Sequence, residues 1–182
     1  TGNAEALEVQ LRHGCYQHIV IHFIDQGIWD IIKNHLDRIK VTIWAHGADI
    51  QSYERRAFLY DTPEQHARAK ILSDMRLSMW REMLNPMHMN LKVVFVSRYL
   101  AETSMEDLGL NIPPEQYEII HNPIDTDFFK YKPKTVEQRK KILSIRPYAS
   151  RVYANDLMVK AILKLQEYNF FYELEFRIIG DG

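Results

Sequence analysis

Cysteine is nearly absent from this chain, since Cys15 is the single cysteine among 182 residues. One cysteine excludes a disulfide within the chain and is typical of proteins in a reducing compartment. No apolar run reaches the length needed to cross a bilayer, so we expect no transmembrane helix. No cleavable signal pattern begins at Thr1. Together these absences predict a cytoplasmic protein.

The chain also lacks an excess of charge of either sign. The chain carries 23 basic and 24 acidic residues, which gives a formal net charge of −1. Proteins that bind nucleic-acid phosphates need a strong basic excess, so we expect no nucleic-acid partner. The sequence contains 8 histidines, but no cysteine or carboxylate cluster accompanies His18 and His22. We therefore expect no metal site.

What the sequence does contain is an alternation of apolar strands and amphipathic helices. Ile19–Ile24 is a nearly continuous apolar run, the pattern of a parallel strand that is covered on both faces. Apolar residues at helical spacing predict a helix over Ile28–Ile39, and Val41–Ala45 has the pattern of the next strand. Units of this kind predict an α/β fold with parallel sheets.

The alternation continues along the chain. Thr62, Pro63 and Gln65 provide a capping box with proline at the first helical position, and the helix is predicted to end near Leu84. Its predicted buried face consists of Ala67, Ile71, Met75, Met79 and Met83. The other predicted elements are the strands Leu91–Val96, Tyr117–Ile120, Lys141–Ile145 and Leu174–Ile179, and the helices Arg98–Leu108 and Asn155–Tyr168.

A constrained polar corner interrupts this alternation after Ile120. Pro123 fixes its own φ and moves Asn122 out of the α region. Asp125 and Asp127 can accept hydrogen bonds from nearby backbone amides, which holds a turn without a helix or a ladder. The sequence therefore predicts a tight crossing at this point.

The aromatic pair that closes the corner marks a predicted domain boundary. Phe128 and Phe129 offer apolar area that we expect to pack against a core. The charged run Lys130–Lys134 follows, and the strand–helix–strand pattern then starts again. We predict one domain over residues 1–129 and a second over residues 130–182, each with its own parallel sheet.

The corner resembles the N-(G/P)-h-D-x-x-x-F corner of the retaining glycosyltransferases with the GT-B fold, family 4, also called glycosyl transferases group 1. The matching residues are Asn122, Pro123, Asp125 and Phe129. Lys92–Ser97 is similar to a family strand whose final serine opens a helix. Residues 142–182 resemble the start of the second domain of the family. The resemblance runs from about Ile19 to the end of the chain.

This resemblance implies a GT-B fold with two Rossmann-like domains. Both are expected to be incomplete here, because the glycine-rich loop and the paired-glutamate motif of the family are missing. The implied activity is retaining transfer of a sugar from a nucleotide diphosphate-sugar to a hydroxyl, in polysaccharide or glycoconjugate synthesis. The chain alone is expected to be inactive. The donor is a substrate, so no cofactor is expected.

The resemblance also implies the partners. These are a nucleotide-sugar donor and a carbohydrate or lipid-linked acceptor. The region Tyr53–Arg81 is rich in arginine, which usually indicates a solvated face. It could also meet an anionic membrane, so a peripheral location at the inner face of the membrane is the alternative to the cytoplasm.

Several residues are candidates for lining a substrate-binding cleft. His46 follows the second predicted strand, at the edge where ligands of open α/β sheets bind. The family has a histidine on this loop that contacts the donor sugar, and His46 matches it; the alternative is a loop histidine that bonds a neighbouring carbonyl. Gly47 allows close approach to the backbone. Asp49, Ser97 and Asn122 are further candidates for the cleft and the acceptor.

Arg146 is the candidate for the donor diphosphate, which needs cations both for binding and for departure of the sugar. The family has Gly-Arg at the end of this strand and Lys-Gly before the next helix. Arg146 matches the arginine, whereas Ile145 stands at the first glycine. Tyr153 and Ala154 stand at Lys-Gly, which is a departure from the family pattern.

Three points remain open at this level. Arg151 is either a second cation for the diphosphate or a solvated loop charge. Gly180-Asp181-Gly182 resembles a glycine turn of the family beside the nucleotide, although many strands end in this way. The alternatives to a transferase are a sugar-nucleotide epimerase of the same fold, which needs acid–base carboxylates and no acceptor site, and a non-catalytic interaction module, which the departure at Tyr153 favours.

Overall fold

The structure, a computed structural model, describes residues 4–181. Thr1–Asn3 and Gly182, the last residue of the predicted glycine turn, lie outside the described residues. The chain divides into two compact units, Thr1–Pro123 and Ile124–Gly182, with the division inside the corner. The first unit has a four-stranded parallel sheet and the second a two-stranded parallel sheet. The predicted α/β class with two separate parallel sheets is confirmed, and both sheets are compatible with Rossmann-like folds.

The first unit alternates helices and strands around its sheet, whose strand order is β1-β2-β3-β4. The helices and strands are α1 (Ala4–His13), β1 (His18–His22), α2 (Gln26–Ile32), β2 (Lys40–Ala45), α3 (Pro63–Leu84), β3 (Leu91–Phe95), α4 (Arg98–Leu108) and β4 (Tyr117–Ile119). Two 3₁₀ helices join them, Glu54–Leu59 and Pro114–Gln116. Within this unit, α4 and β4 agree with the prediction to within one residue.

The core of this unit is built on the central strands β2 and β3. Ile43 of β2 and Val93 of β3 are paired in register, and both are fully buried. On the opposite face Thr42 and Trp44 of β2 are half-buried, whereas Val94 of β3 is buried. Trp80 of α3 is also fully buried. The buried central strands therefore fix the point at which the loop after β2 begins.

β1 is an edge strand, not a strand covered on both faces as its apolar run predicted. It pairs with β2 alone, and exposed and half-buried residues alternate along it, with Val20 55% exposed. The predicted end at Ile24 was also wrong. The strand stops at His22 because Phe23 adopts a left-handed backbone with φ 58°, which cannot continue a strand.

α2 ends at Ile32, whereas apolar spacing predicted a helix to Ile39. The side-chain amide of Asn34 donates to the carbonyl of Asp30 at 2.8 Å, the acceptor that its own backbone N–H would use in an α-helix. That N–H bonds a carbonyl three residues back instead, and the chain continues in turns. Leu36 and Ile39 are still buried. The spacing therefore located the buried residues but not the helix end.

α3 begins with the predicted capping box. The Thr62 hydroxyl accepts a hydrogen bond from the Gln65 amide at 3.3 Å, and the Gln65 side chain accepts one from the Thr62 amide at 3.4 Å. The helix also ends at Leu84, as predicted. Both boundaries were predictable because neighbouring side chains set them.

The predicted buried face of α3 is wrong in its first half. Met79 and Met83 are buried, but Ile71 and Met75 are 61% and 65% exposed. The methionine stripe meets the core only where the second half of the helix crosses it. The side chain that enters the core most fully is Trp80, which lies outside that stripe.

The second unit contains α5 (Val136–Arg139), β5 (Lys141–Ile145), α6 (Asn155–Leu165) and β6 (Glu175–Ile179). Two 3₁₀ helices, Arg151–Tyr153 and Asn169–Glu173, complete it. β5 pairs in parallel with β6. α6 is shorter than predicted, because the residues after Leu165 continue as turns.

The corner at the start of this unit is held by Asp125. Its carboxylate accepts hydrogen bonds from the amides of Asp127 and Phe128, both at 2.9 Å. The prediction that Phe128 and Phe129 pack on a core is wrong. They are 78% and 68% exposed, and their rings contact each other at 4.9 Å between centroids. No residue from 124 to 181 is buried, so this unit has no core to receive them.

Candidate functional site

The loop after β2 is shaped by its own backbone. Gly47 has φ 91°, a conformation that glycine adopts without the Cβ penalty of other residues. Its carbonyl accepts hydrogen bonds from the amides of Ile50 at 3.1 Å and Gln51 at 2.8 Å. The amide of His46 donates to the Asp49 carboxylate at 2.9 Å. The loop therefore turns sharply and fixes the backbone of His46.

Asp49 holds this loop from the inside. Its residue is only 8% exposed, and its carbonyl accepts a hydrogen bond from the Trp80 indole at 2.6 Å. Burial raises the pKa of the Asp49 carboxyl, and the His46 amide partly offsets that effect. Its second oxygen, Oδ2, is buried without a partner among the described residues. Asp49 thus supports the loop. The sequence analysis had suggested it as a contact for the sugar acceptor.

The Asp49→Asn variant is expected to change how stability depends on pH. Because the folded-state pKa is raised, the stabilisation from protonated Asp49 is complete below its ordinary value of 3.8 and is lost as the pH rises through the folded value. Asparagine keeps an acceptor for His46 and does not titrate. Urea unfolding between pH 4 and pH 7 should show the variant gaining on the native chain with increasing pH. A difference that is constant across this range would contradict the expectation.

The ring of His46 is held by two residues at the end of β1. Nδ1 of His22 and Nε2 of His46 lie 2.8 Å apart and share a hydrogen bond. Phe23 stacks on the His46 ring, with the ring centroids 4.7 Å apart. His22 in turn stacks on Trp44 at 5.5 Å. His46 is half-buried, so its ring is fixed yet accessible.

Sequence reasoning found His46 and Gly47 but missed His22 and Phe23. One signal for His22 was present, because adjacent parallel strands that end together bring their last side chains together. The register pairs His22 with Trp44, two residues before His46. No signal in the sequence indicated the left-handed backbone of Phe23.

Ser97 lies at the next strand end and has a capping role. Its hydroxyl accepts a hydrogen bond from the Leu100 amide at 3.1 Å, which starts α4. A Cβ on Gly47 would lie 3.9 Å from Leu100, so α4 begins beside the His46 loop. Asn122 is exposed beyond β4. The carboxyl edge of this sheet therefore carries His46, Gly47 and Ser97 close together.

In the second unit, Arg146 leaves the carboxyl end of β5. Its Nη1 donates to the carbonyl of Tyr153 at 2.6 Å, just before α6. A Cβ on Gly180 would lie 2.1 Å from the carbonyl oxygen of Arg146, so this position requires glycine. Arg151 is exposed in the 3₁₀ helix between them in sequence. The structure thus brings Arg146, Tyr153 and Gly180 together.

Ala154 occupies a backbone position that suits glycine. Its φ is 52°, and it stands where the glycosyltransferase pattern has glycine. A left-handed backbone costs a non-glycine residue roughly 1–2 kcal/mol.

The Ala154→Gly variant is therefore expected to raise the free energy of unfolding of this unit. The gain should be about 0.5–1 kcal/mol after the extra chain entropy of glycine is subtracted. Hydrogen exchange of the β5 and β6 amides measures it. Ala161→Gly, in the interior of α6, is the matched control and should destabilise the unit by about 1 kcal/mol. Slower exchange in the control than in Ala154→Gly would refute the strain.

A groove of about 530 Å³ lies between α6 and the strands of the second unit. Its lining is mainly apolar and includes Ile142, Leu157, Ala161, Leu165, Phe176 and Ile178. Arg146 and Ala154 also line it, so Arg146 adds a positive charge to the groove wall.

Searches for related proteins found no matching family model and no significantly similar curated protein. Across residues 4–181, no three histidine, cysteine, aspartate or glutamate side chains are grouped as metal ligands. Within the same residues, no helix has the length and apolar character to cross a membrane.

Proposed function

We propose that the protein is a retaining glycosyltransferase that moves a sugar from a nucleotide diphosphate-sugar to an acceptor hydroxyl. The observation that carries this proposal is Arg146, which leaves the carboxyl end of a parallel strand and bonds the chain just before α6. Ligands of α/β sheets bind at this edge. The likeness of the corner to GT-B enzymes supports the donor class. We propose the GT-B arrangement, a cytoplasmic location and a role in polysaccharide or glycoconjugate synthesis on the same grounds.

Arg146 is proposed to bind the donor diphosphate. A guanidinium has five N–H donors in a planar fork, so Arg146 can bond the Tyr153 carbonyl and still reach phosphate oxygens. The first amides of α6 add donors of the kind that favours anions. Negative charge grows on the diphosphate as the sugar leaves, so these groups stabilise the transition state more than the ground state. The proposed reaction uses protein cations at the diphosphate, and the donor is consumed as a substrate.

His46 is proposed to contact a hydroxyl of the donor sugar. Its backbone is held by Asp49 and its ring by His22 and Phe23, so the imidazole keeps one orientation. A fixed polar group loses little freedom when it binds a substrate, which favours catalysis.

The acceptor is proposed to be a carbohydrate or a lipid-linked sugar. α3 exposes Ile71, Leu72 and Met75 at 61%, 53% and 65%, and Arg68 lies one turn before them. An apolar face beside basic side chains suits the surface of an anionic membrane. Peripheral contact through this face would bring a lipid-linked acceptor to the protein.

Thermal unfolding of the full-length protein in the presence of nucleotides tests the donor class. Each of UDP, GDP and ADP is compared with its monophosphate. One diphosphate is expected to raise the Tm, with about 2.7 kcal/mol of stabilisation at a hundredfold excess over its Kd. Arg146→Ala should remove the shift, and Lys134→Ala should not, because Lys134 does not line the groove that Arg146 lines. Stabilisation by none of the three diphosphates would refute the proposal and support a non-catalytic module.

The matching nucleotide-sugar then separates the two enzyme classes. A transferase releases the nucleotide diphosphate and joins the sugar to an acceptor, whereas an epimerase returns a nucleotide-sugar with the sugar still attached. Phosphorus and proton NMR of the reaction mixture distinguish these products. An epimerised nucleotide-sugar with no released diphosphate would replace the transferase assignment.

A further inference from the structure

His22 and Phe23, at the end of β1, both contact the ring of His46. His22 bonds the His46 ring at 2.8 Å, and the centroids of these two rings are 5.1 Å apart. Phe23 lies against the same ring at 4.7 Å. The aromatic rings of three residues thus form one cluster at the carboxyl edge of the sheet.

The backbone of Phe23 makes this cluster possible. A bulky residue at φ 58° is strained, and such a conformation persists only where the surroundings fix it. Ile24 is buried at 4% exposure. Asp25 caps α2 by accepting a hydrogen bond from the Ile28 amide at 2.8 Å. Both neighbours are therefore anchored, and the strained turn directs the Phe23 ring onto His46.

The hydrogen bond between the two imidazoles constrains where protons lie. Nε2 of His46 and Nδ1 of His22 cannot both be lone pairs or both carry protons in this bond. The Nε2–H tautomer is the more populated form of a free histidine. If both rings adopt it, His46 donates from Nε2 and His22 accepts at Nδ1. The Nδ1 of His46 then carries a lone pair.

We propose that His22 is a positioning residue that holds His46 in the Nε2–H tautomer and so presents the Nδ1 lone pair to a substrate hydroxyl. The inference rests on the proposed function for the identity of that hydroxyl, which belongs to the donor sugar. Phe23 fixes the plane of the ring, and His22 fixes its proton. Together they orient His46 so that its Nδ1 accepts a hydrogen bond from one direction.

Two substitutions at position 22 separate the hydrogen bond from the aromatic stack. His22→Phe keeps a ring against Trp44 and removes the acceptor. His22→Asn places a carbonyl oxygen near the former Nδ1 and removes the ring. His18→Phe is the matched control, because His18 lies on the same strand and bonds Thr42 at 2.8 Å instead.

Nitrogen NMR of the chain labelled with ¹⁵N-histidine reads the tautomer directly and needs no ligand. His46→Ala identifies the His46 signals by their loss. The native chain and the His18→Phe control should show His46 with a protonated Nε2 and an unprotonated Nδ1. His22→Phe should move the two His46 nitrogen shifts toward each other as the ring exchanges between tautomers, and His22→Asn should restore the native pattern. A native His46 that is already averaged, or a His22→Phe spectrum unchanged from native, would overturn the proposal.

Kinetics of the full-length protein supply a second readout. His22→Phe should lower kcat/KM by about tenfold, the equivalent of one lost hydrogen bond, with His22→Asn closer to native and His18→Phe unchanged. A loss in His22→Asn as large as or larger than the loss in His22→Phe would show that an acceptor at position 22 is not sufficient without the ring, and would overturn the proposal. Absence of transferase activity in the native full-length protein would instead refute the proposed function, and the NMR result would still decide the role of His22.

Discussion

If the proposed function holds, replacing Arg146 by alanine is expected to lower kcat/KM of the full-length protein by two to three orders of magnitude. That range corresponds to roughly 2.7–4 kcal/mol of lost transition-state stabilisation, the scale for removal of one preorganised donor. The guanidinium sits at the carboxyl end of β5 and is held by the Tyr153 carbonyl, so it is already oriented before a substrate binds. Steady-state kinetics at saturating acceptor measure the change.

Two further variants separate charge from geometry. Arg146→Lys keeps the charge but loses the planar fork, and it should recover only part of the rate. Arg151→Ala removes a neighbouring cation from the same loop and should cost less than Arg146→Ala. An Arg146→Ala enzyme within about twofold of native, well under 1 kcal/mol, would refute the assignment and favour the non-catalytic module.

The parts of the fold that were predictable are those that neighbouring residues determine. The capping box at Thr62 fixed the start of α3, because its hydrogen bonds join residues three apart. The end of α2 was not predictable from apolar spacing, since it depends on the Asn34 side chain taking the Asp30 carbonyl. The exposure of β1 depends on its place at the sheet edge, which is a property of the whole sheet.

The candidate site shows the same division. His46 was predictable as a strand-end histidine before a glycine, and Arg146 as a cation after a strand. The contact of His22 with His46 requires the register of β1 and β2, and the stack of Phe23 requires a strained φ. The burial of Asp49 arises from its packing against α3. Tertiary packing decided each of these, and no local pattern encodes it.

Trp80→Ala is expected to destabilise the first unit by about 3–5 kcal/mol, the usual cost of removing a large buried aromatic side chain. Trp80 is fully buried, and its indole N–H bonds the Asp49 carbonyl at 2.6 Å. The substitution would leave both a cavity and an unpaired carbonyl. Chemical denaturation gives the free energy of unfolding. Met75→Ala is the matched control, because it lies on the same helix at 65% exposure and should change stability by less than about 0.5 kcal/mol.

Trp80→Phe isolates the hydrogen bond from the packing. Phenylalanine keeps most of the apolar volume and leaves the Asp49 carbonyl without its donor, at an expected cost of about 1–3 kcal/mol. The same carbonyl belongs to the loop that fixes His46. Under the proposed function, the folded full-length variant should therefore also transfer sugar more slowly than native. Activity is measured well below the Tm of the variant, where unfolding does not contribute. Native activity in Trp80→Phe would show that the loop keeps its shape without the indole. A loss of unfolding free energy in Trp80→Ala no larger than that in Met75→Ala would show that Trp80 does not stabilise the core beneath the site.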